Sequence, residues 1–303
     1  MSTSVRATTL IDDGMSQRDI RGFVDRGELI HLRYGRYSWD TNLDGERLRH
    51  LRLIDATVDE LDTQTVLSHH SAAALHGLPL PYGEIVRVTT IRPGRGGGRV
   101  RAHHRQQRIA IPVGDTTTVD GLPVTTLART AVDLAREHPL GYGQAVVDVA
   151  ETRGVDATQW EDMLARSRRR PGMGKARSAV AHRDGRSESP GESRARVLMR
   201  ECGIPAPRLQ YSVFHPSGRL LGRTDFAWPE LRLLGEYDGL VKYGRLLKPG
   251  QDPGQVVFAE KRREEAICAQ GWWFVRLTAA DIRSRAAVSA MWRQAELVSR
   301  RLR

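Results

Sequence analysis

Gly222-Arg-Thr-Asp-Phe-Ala-Trp-Pro-Glu-Leu-Arg-Leu-Leu-Gly-Glu-Tyr-Asp-Gly239 is the stretch that decides the fold. Two β-prone runs flank Trp228-Pro-Glu-Leu231, which predicts a tight antiparallel hairpin over residues 220–227 and 232–237. With the turn centred at Pro229-Glu230, Asp225 and Glu236 face each other diagonally across the pair. Strand alternation puts Glu236 and Asp238 on one face, and Leu231, Leu233 and Tyr237 on the other. Acids carried to the centre of an otherwise apolar sheet are costly unless something cationic holds them, and a hydrated metal is one such partner.

Outward from the hairpin, Ser189-Pro-Gly-Glu192 starts a helix with a serine cap and proline at the first helical position. Glu192 therefore has a plain role at the helix-terminal amides. It becomes a further oxygen ligand if that helix start lies against the hairpin. Residues 210–214 read as a strand, and residues 257–271 as a charged amphipathic helix ended by Gly271. Trp272-Trp-Phe-Val-Arg-Leu-Thr278 reads as a central strand, interrupted by Arg276, and a last helix follows from about Asp281. Asp225 and Glu236, with Asp238 beside them, form an oxygen-only set that suits Mg²⁺ or Mn²⁺. A metal there activates water and polarises a scissile phosphate. Lys242, just past the strand, is placed to stabilise developing charge, and Lys261 and Arg263 to meet backbone phosphate.

At the front, Ser16 and Asp19 make a capping-box pattern before an apolar stripe of Ile20, Phe23 and Val24. Gly35 sits between two β-prone runs, as in the wing of a winged helix. Arg18 and Arg21 fall on the exposed side of the recognition helix, and Arg33 and Arg36 on the wing. Helices follow at about residues 45–61, 66–77, 127–136 and 143–151, with strands near 85–91 and 118–125. His69, His70 and His76 lack an acidic or cysteine neighbour at metal-ligand spacing, so capping and hydrogen bonding are the expectation for them. Arg168, Arg169 and Arg170 belong to a basic run over residues 160–190, a footprint for a polyanion or a solvated connector surface.

The chain has 303 residues, 40% hydrophobic and 27% charged, with net charge +11 and pI about 10.3. Arginine carries most of the positive charge, which suits bidentate phosphate contacts. No apolar run has the length of a membrane span, and the early arginine is followed by no apolar core of signal-peptide length. Cys202 and Cys268 are too few for a disulfide framework and fit reduced cysteines in a cytoplasmic protein. These features divide the chain into a winged-helix-like unit (1–42), an α/β middle domain (43–160), a basic connector and linker (161–188) and a C-terminal α/β domain with a mixed sheet (189–303). The fold class expected is α/β multidomain.

Asp225-Phe-Ala227, Glu236-Tyr-Asp-Gly239, Gly271-Trp272 and Val275-Arg276, spaced around a charged helix, resemble the PD-(D/E)XK nuclease superfamily. The closer resemblance is to bacterial endonuclease-like proteins related to very-short-patch mismatch-repair endonucleases, and it covers roughly residues 188–300. It implies a restriction-endonuclease-like domain whose carboxylates hold Mg²⁺, assisted by a lysine two positions after the second acid. Asp238 stands at that position, which makes Lys242 a displaced substitute. Residues 10–150 are similar to AbiEi-type antitoxins of type IV toxin–antitoxin systems. That likeness rests on Arg26-Gly-Glu-Leu29, Arg36-Tyr37, Ser68-His69, Ser71-Ala-Ala73 and Val124-Thr-Thr-Leu-Ala-Arg-Thr130. It implies operator DNA, a toxin partner and autorepression, and an isologous dimer would read a palindromic operator. Two functions are therefore expected: a metal-dependent DNA endonuclease, or a repressor and antitoxin whose rear domain is inert.

Overall fold

The computed structural model describes residues 4–81, 83, 85–94, 96–239 and 253–301, and within them eleven α-helices and three β-sheets make an α/β protein. The chain forms two compact units: Met1–Glu137 with Val155–Met173, and His138–Gly154 with Gly174–Arg303.

The first unit opens with β1 (Ser4–Arg6), α1 (Ala7–Asp12), α2 (Gln17–Asp25), β2 (Ile30–Arg33) and β3 (Arg36–Ser38). The strands form an antiparallel sheet in the order β1-β3-β2. α2 starts at Ser16 because the capping box forms: Asp19 N–H donates to Ser16 Oγ at 3.2 Å, and Ser16 N–H to Asp19 Oδ2 at 2.9 Å. Leu10, Ile20 and Leu29 are buried beneath this helix pair with Phe23, Val24 and Tyr37 against them.

α3 (Gly45–Val58) leads to a mixed six-stranded sheet built from β4 (Val66–Leu67), β5 (Val88–Arg92), β6 (Arg99–Val100), β7 (His104–Arg108), β8 (Thr116–Val119) and β9 (Leu122–Thr125). Its order is β6-β7-β5-β4-β9-β8, with β4/β9 and β5/β7 parallel. α4 (His69–His76) and α5 (Leu127–Glu137) follow β4 and β9. The sequence predicts helix from Val66, but Val66 and Leu67 pair with β5 first, and the helix begins only after Ser68. The chain then forms α6 (Leu140–Thr152) in the second unit, returns for α7 (Ala157–Ser167) and leaves through α8 (Met173–Ala181).

In the second unit, α9 (Pro190–Glu201) precedes β10 (Arg208–Phe214), β11 (Leu220–Trp228) and β12 (Leu233–Asp238). α10 (Pro253–Cys268), β13 (Trp273–Thr278) and α11 (Arg285–Arg301) complete it. Strand order is β10-β11-β12-β13, antiparallel except for the parallel β12/β13 pair. One face buries Phe226, Trp228, Leu233, Tyr237 and Leu277 with residues of α9 and α11. The other buries Val213, Ala227 and Leu234 with Ile267 of α10 and Trp272.

Two expectations are corrected here. β13 is the outermost strand among the described residues, not a central one, because its exposed Trp273, Arg276 and Thr278 are compatible only with an edge. The turn-rich segment after α8, read as a linker, is fastened to α6. Buried Asp148 accepts from Asp184 N–H at 2.9 Å and from Arg196 at 2.8 Å, and Thr152 Oγ1 donates to the Gly185 carbonyl at 2.7 Å.

Candidate functional site

The centre of the second unit's sheet contains a fault that its sequence alternation conceals. Leu209 belongs to the core shared with α9 and α11, whereas Tyr211, two residues on, packs with Trp272 in the opposite core. A regular strand would keep both on one face. Between them Gln210 adopts φ +50°, a left-handed conformation that costs a non-glycine residue roughly 1–3 kcal/mol. Gln210 lies across from Asp225, between the paired positions Leu209/Phe226 and Tyr211/Thr224. β11 turns over at the same step: Phe226 faces α9 and α11, while a side chain at Gly222 would meet Arg263 and Ile267 of α10.

This fault opens the sheet at Asp225. Backbone pairing of β11 with β12 runs from Trp228/Leu233 to Phe226/Gly235. One step further, Tyr237 N–H donates to the Asp225 side-chain Oδ2 at 2.8 Å. The Asp225 carboxylate thus occupies the gap between strands, and among the described residues no cationic side chain pairs with it.

Glu192 reaches the same place from the start of α9. Gly191 permits the approach, because a Cβ there would lie 1.9 Å from the Tyr237 ring. Glu192 is 6% exposed. It accepts from Ser189 Oγ at 2.7 Å, Glu188 N–H at 2.9 Å and Gln210 Nε2 at 3.0 Å. Burial raises its carboxyl above the usual range against the Ser189 and Glu188 hydrogen bonds, and repulsion from Asp225 and Glu188 adds to the rise. Glu192 is therefore a helix cap and a neighbour of Asp225 at once.

Glu236 points to α10. Arg263 Nη2 donates to its Oε1 at 2.5 Å and also to Glu260, while Arg276 lies 3.8 Å from Oε2. Burial raises the Glu236 carboxyl, the Arg263 hydrogen bond and charge oppose this, and Glu260 adds to the rise. Asp238 lies 3.7 Å from Arg276, which pairs with Glu264 at 2.6 Å. Four carboxylates, Glu236, Asp238, Glu260 and Glu264, thus share two guanidiniums.

Among the described residues no three His, Cys, Asp or Glu side chains form a ready-made metal cage. The donor set nevertheless fits a hard cation that keeps most of its water and takes one or two carboxylates. Among the described residues Asp225, buried in part, meets no cation and Glu236 Oε2 meets only the distant Arg276, while Glu192 carries the repulsion of Asp225. Asp225 and Glu236 are the residues that would hold Mg²⁺ or Mn²⁺. Lys242 lies outside the described residues.

The basic residues read from the sequence separate into two groups. Arg18 and Arg21 are exposed on α2, alongside Asp19 and Asp25. Arg168 and Arg169 are exposed after α7, and Lys261 is exposed on α10. Arg33 and Arg36 do not project from the hairpin as a wing surface requires. Arg33 donates to the Ala56 carbonyl at 2.9 Å and pairs with Glu60, and Arg36, 3% exposed, pairs with Asp59 at 3.0 Å. Asp59 and Glu60, just past the end of α3, draw them inward, and that adjacent acidic pair was the available sequence signal. Arg170 is half-buried 3.3 Å from Asp133, and Arg263 is committed to Glu236 and Glu260. The histidines make hydrogen bonds: His69 with Ser68 and Glu137, and His76 with the Thr125 carbonyl. Sequence reasoning missed Gln210, whose strain is invisible to alternation, and the fit of Gly191 against Tyr237.

No family model matches the chain. It is similar to two Mycobacterium tuberculosis proteins, uncharacterized protein Rv2248 of strain H37Rv and uncharacterized protein MT2308 of strain CDC 1551. Each is 28% identical over 270 residues, which covers 89% of this chain and 92% of the relative. The similarity thus has the length to run through both compact units.

Proposed function

We propose that this chain binds DNA and that its second unit hydrolyses DNA phosphodiesters with Mg²⁺ or Mn²⁺. One observation carries the proposal: the opening of β11 from β12 at Asp225, which sets an acid with no cationic partner among the described residues beside Glu192 and one strand from Glu236. The helix–hairpin–helix–strand order agrees with the resemblance to PD-(D/E)XK nucleases. Asp225 and Glu236 would hold the ion, which would supply activation of water and polarisation of the phosphate. Glu192 fixes the start of α9 against the sheet and keeps negative charge at the site. Water oxygen forms the new bond to phosphorus, the bridging P–O bond breaks, and the departing oxygen takes a proton. Arg263 and Arg276 supply positive charge at the site in addition to whatever Lys242 contributes.

DNA is held, in this reading, by the first unit. Its order of strand, two helices and hairpin, with β1 beside β3, supports a winged-helix reading in which α2 is the recognition helix. Arg18 and Arg21 are its free cations, while Arg33 and Arg36 brace the hairpin against α3.

A second reading, an autorepressor and antitoxin with an inert rear domain, is favoured by one feature. Asp238 occupies the position of the assisting lysine, and Glu236 is already neutralised in part by Arg263. Such a protein would act as a dimer on a palindromic operator and engage a toxin.

The two readings separate on a panel of supercoiled, linear, mismatched and single-stranded DNA, with Mg²⁺, Mn²⁺ or chelator. Cleavage that needs metal and is lost in Asp225→Ala and Glu236→Ala supports the nuclease. Cleavage of no substrate, or cleavage unchanged in both variants, overturns it. Operator binding that survives Arg18→Ala and Arg21→Ala overturns the winged-helix assignment.

A further inference from the structure

Arg263 is placed where a substrate-responsive group is needed. Its Nε donates to Glu260 at 2.9 Å and its Nη2 to Glu236 and Glu260, but Nη1 makes only a 3.4 Å bond to the Arg223 carbonyl. The side chain is 21% exposed, against 11% for Glu236, so one edge of the guanidinium reaches solvent while the other seals the carboxylate. Exposed Lys261 and Arg262 precede it on α10 and add positive charge to other faces of the same helix. Guanidinium pairs bidentately with phosphate as readily as with carboxylate. A metal and a guanidinium compete for the Glu236 charge, because two cations a few ångströms apart in a partly buried site repel. Glu260, three residues earlier on the helix, anchors Arg263 to α10, so the guanidinium swings between partners without leaving the site.

We propose that Arg263 is a positioning residue that latches Glu236 until a backbone phosphate recruits its guanidinium, so that metal and nucleic acid bind cooperatively. The inference rests on the metal-site reading above. By reciprocity of linked binding, metal tightens nucleic acid by the same factor that nucleic acid tightens metal.

The test is Mn²⁺ titration of the full chain by electron paramagnetic resonance, alone and with a short phosphorothioate duplex that keeps the backbone charge and resists hydrolysis. Duplex-only blanks and Asp225→Asn define the site-specific binding. The duplex should tighten Mn²⁺ binding about ten-fold in the wild type, a usual size for linkage between sites. Arg263→Gln should bind Mn²⁺ about ten-fold more tightly than wild type without duplex and gain little from it. Arg263→Lys keeps the charge without the bidentate fork and should fall between the wild type and Arg263→Gln. Equal affinity of wild type and Arg263→Gln, or weaker binding by the variant, overturns the latch and leaves an Asp225-dependent metal site standing. Mn²⁺ binding that ignores Asp225 with and without duplex overturns both. Should Arg263→Gln fail to melt cooperatively, the wild type alone decides: a duplex that leaves its Mn²⁺ affinity unchanged sinks the latch.

Discussion

Each unit gathers a cluster of charges, buried in the first and partly exposed in the second, and the clusters are built on opposite plans. In the first unit Arg129, 1% exposed, donates to Asp115 at 2.6 Å and to Asp133 at 2.5 Å. Asp133 also receives Arg136 at 2.9 Å and Arg170 at 3.3 Å, and Arg136 and His69 close on Glu137. Asp115 receives Arg166 at 3.0 Å as well. Every acid there has a cation. In the second unit Asp225 and Glu192 have none among the described residues, four other acids share two arginines, and a strained Gln210 holds the site open. A closed network specifies how α5, α7 and the sheet meet. In the proposed reading, a cluster with fewer cations than acids among the described residues is the one that an external cation completes.

The largest effect should come from breaking the closed cluster. Asp133→Ala removes the acid that Arg129, Arg136 and Arg170 share, leaving Arg129 to Asp115 and Arg136 to Glu137, and should lower the unfolding free energy by about 3–5 kcal/mol, measured by urea denaturation. A loss below about 1 kcal/mol would mean that the network contributes little and that the contrast is false.

Acid should attack the first unit in two steps. Burial holds His50 down to about 4 from 6.5. Its folded value is depressed, so the unfolded chain takes the proton first, and stability present above 6.5 is lost as pH falls to 4, by up to roughly 3 kcal/mol. Burial would raise Glu137, but the His69 hydrogen bond and the charges of His69 and Arg136 prevail and hold it at about 2. Its contribution is present above 4.5 and lost as pH falls toward 2. Urea midpoints measured from pH 7 to 3 should fall from the first window on, and His50→Gln should flatten that window. A flat profile between pH 6.5 and 4 in the wild type would contradict it.

Gly191→Ala drives a Cβ into the Tyr237 ring and should destabilise the second unit by about 1–3 kcal/mol while displacing Glu192. The smallest effect is the most informative. Asn at 225 still accepts from Tyr237 N–H and removes the repulsion with Glu192, so Asp225→Asn should change stability by less than about 1 kcal/mol, or raise it. A fall of more than about 2 kcal/mol would place Asp225 with the structural acids of the first unit.

Local signals carried well from sequence to structure, and long-range ones did not. The Ser16/Asp19 box and the Ser189 cap form, because each is decided within four residues. The hairpin strands, Leu220–Trp228 and Leu233–Asp238, stand where alternation and the Pro229 turn put them. The inward turn of Arg33 and Arg36 was hidden, since it depends on Asp59 and Glu60, more than twenty residues away past the end of α3. So was the face change at Gln210, where one left-handed residue resets a period that sequence patterning assumes constant. The hairpin register beside Asp225 and Glu236 was legible, but Arg263 was read as a phosphate contact when its nearest partners are acids.

Asp225→Asn and Asp133→Asn, compared on one DNA substrate with Mg²⁺ and with chelator, test the central contrast most directly. Wild type should cleave only with metal, and Asp225→Asn should be folded and inactive. Asp133→Asn should be less stable yet active at temperatures where it remains folded. Cleavage retained by folded Asp225→Asn, or cleavage in chelator, would contradict the account.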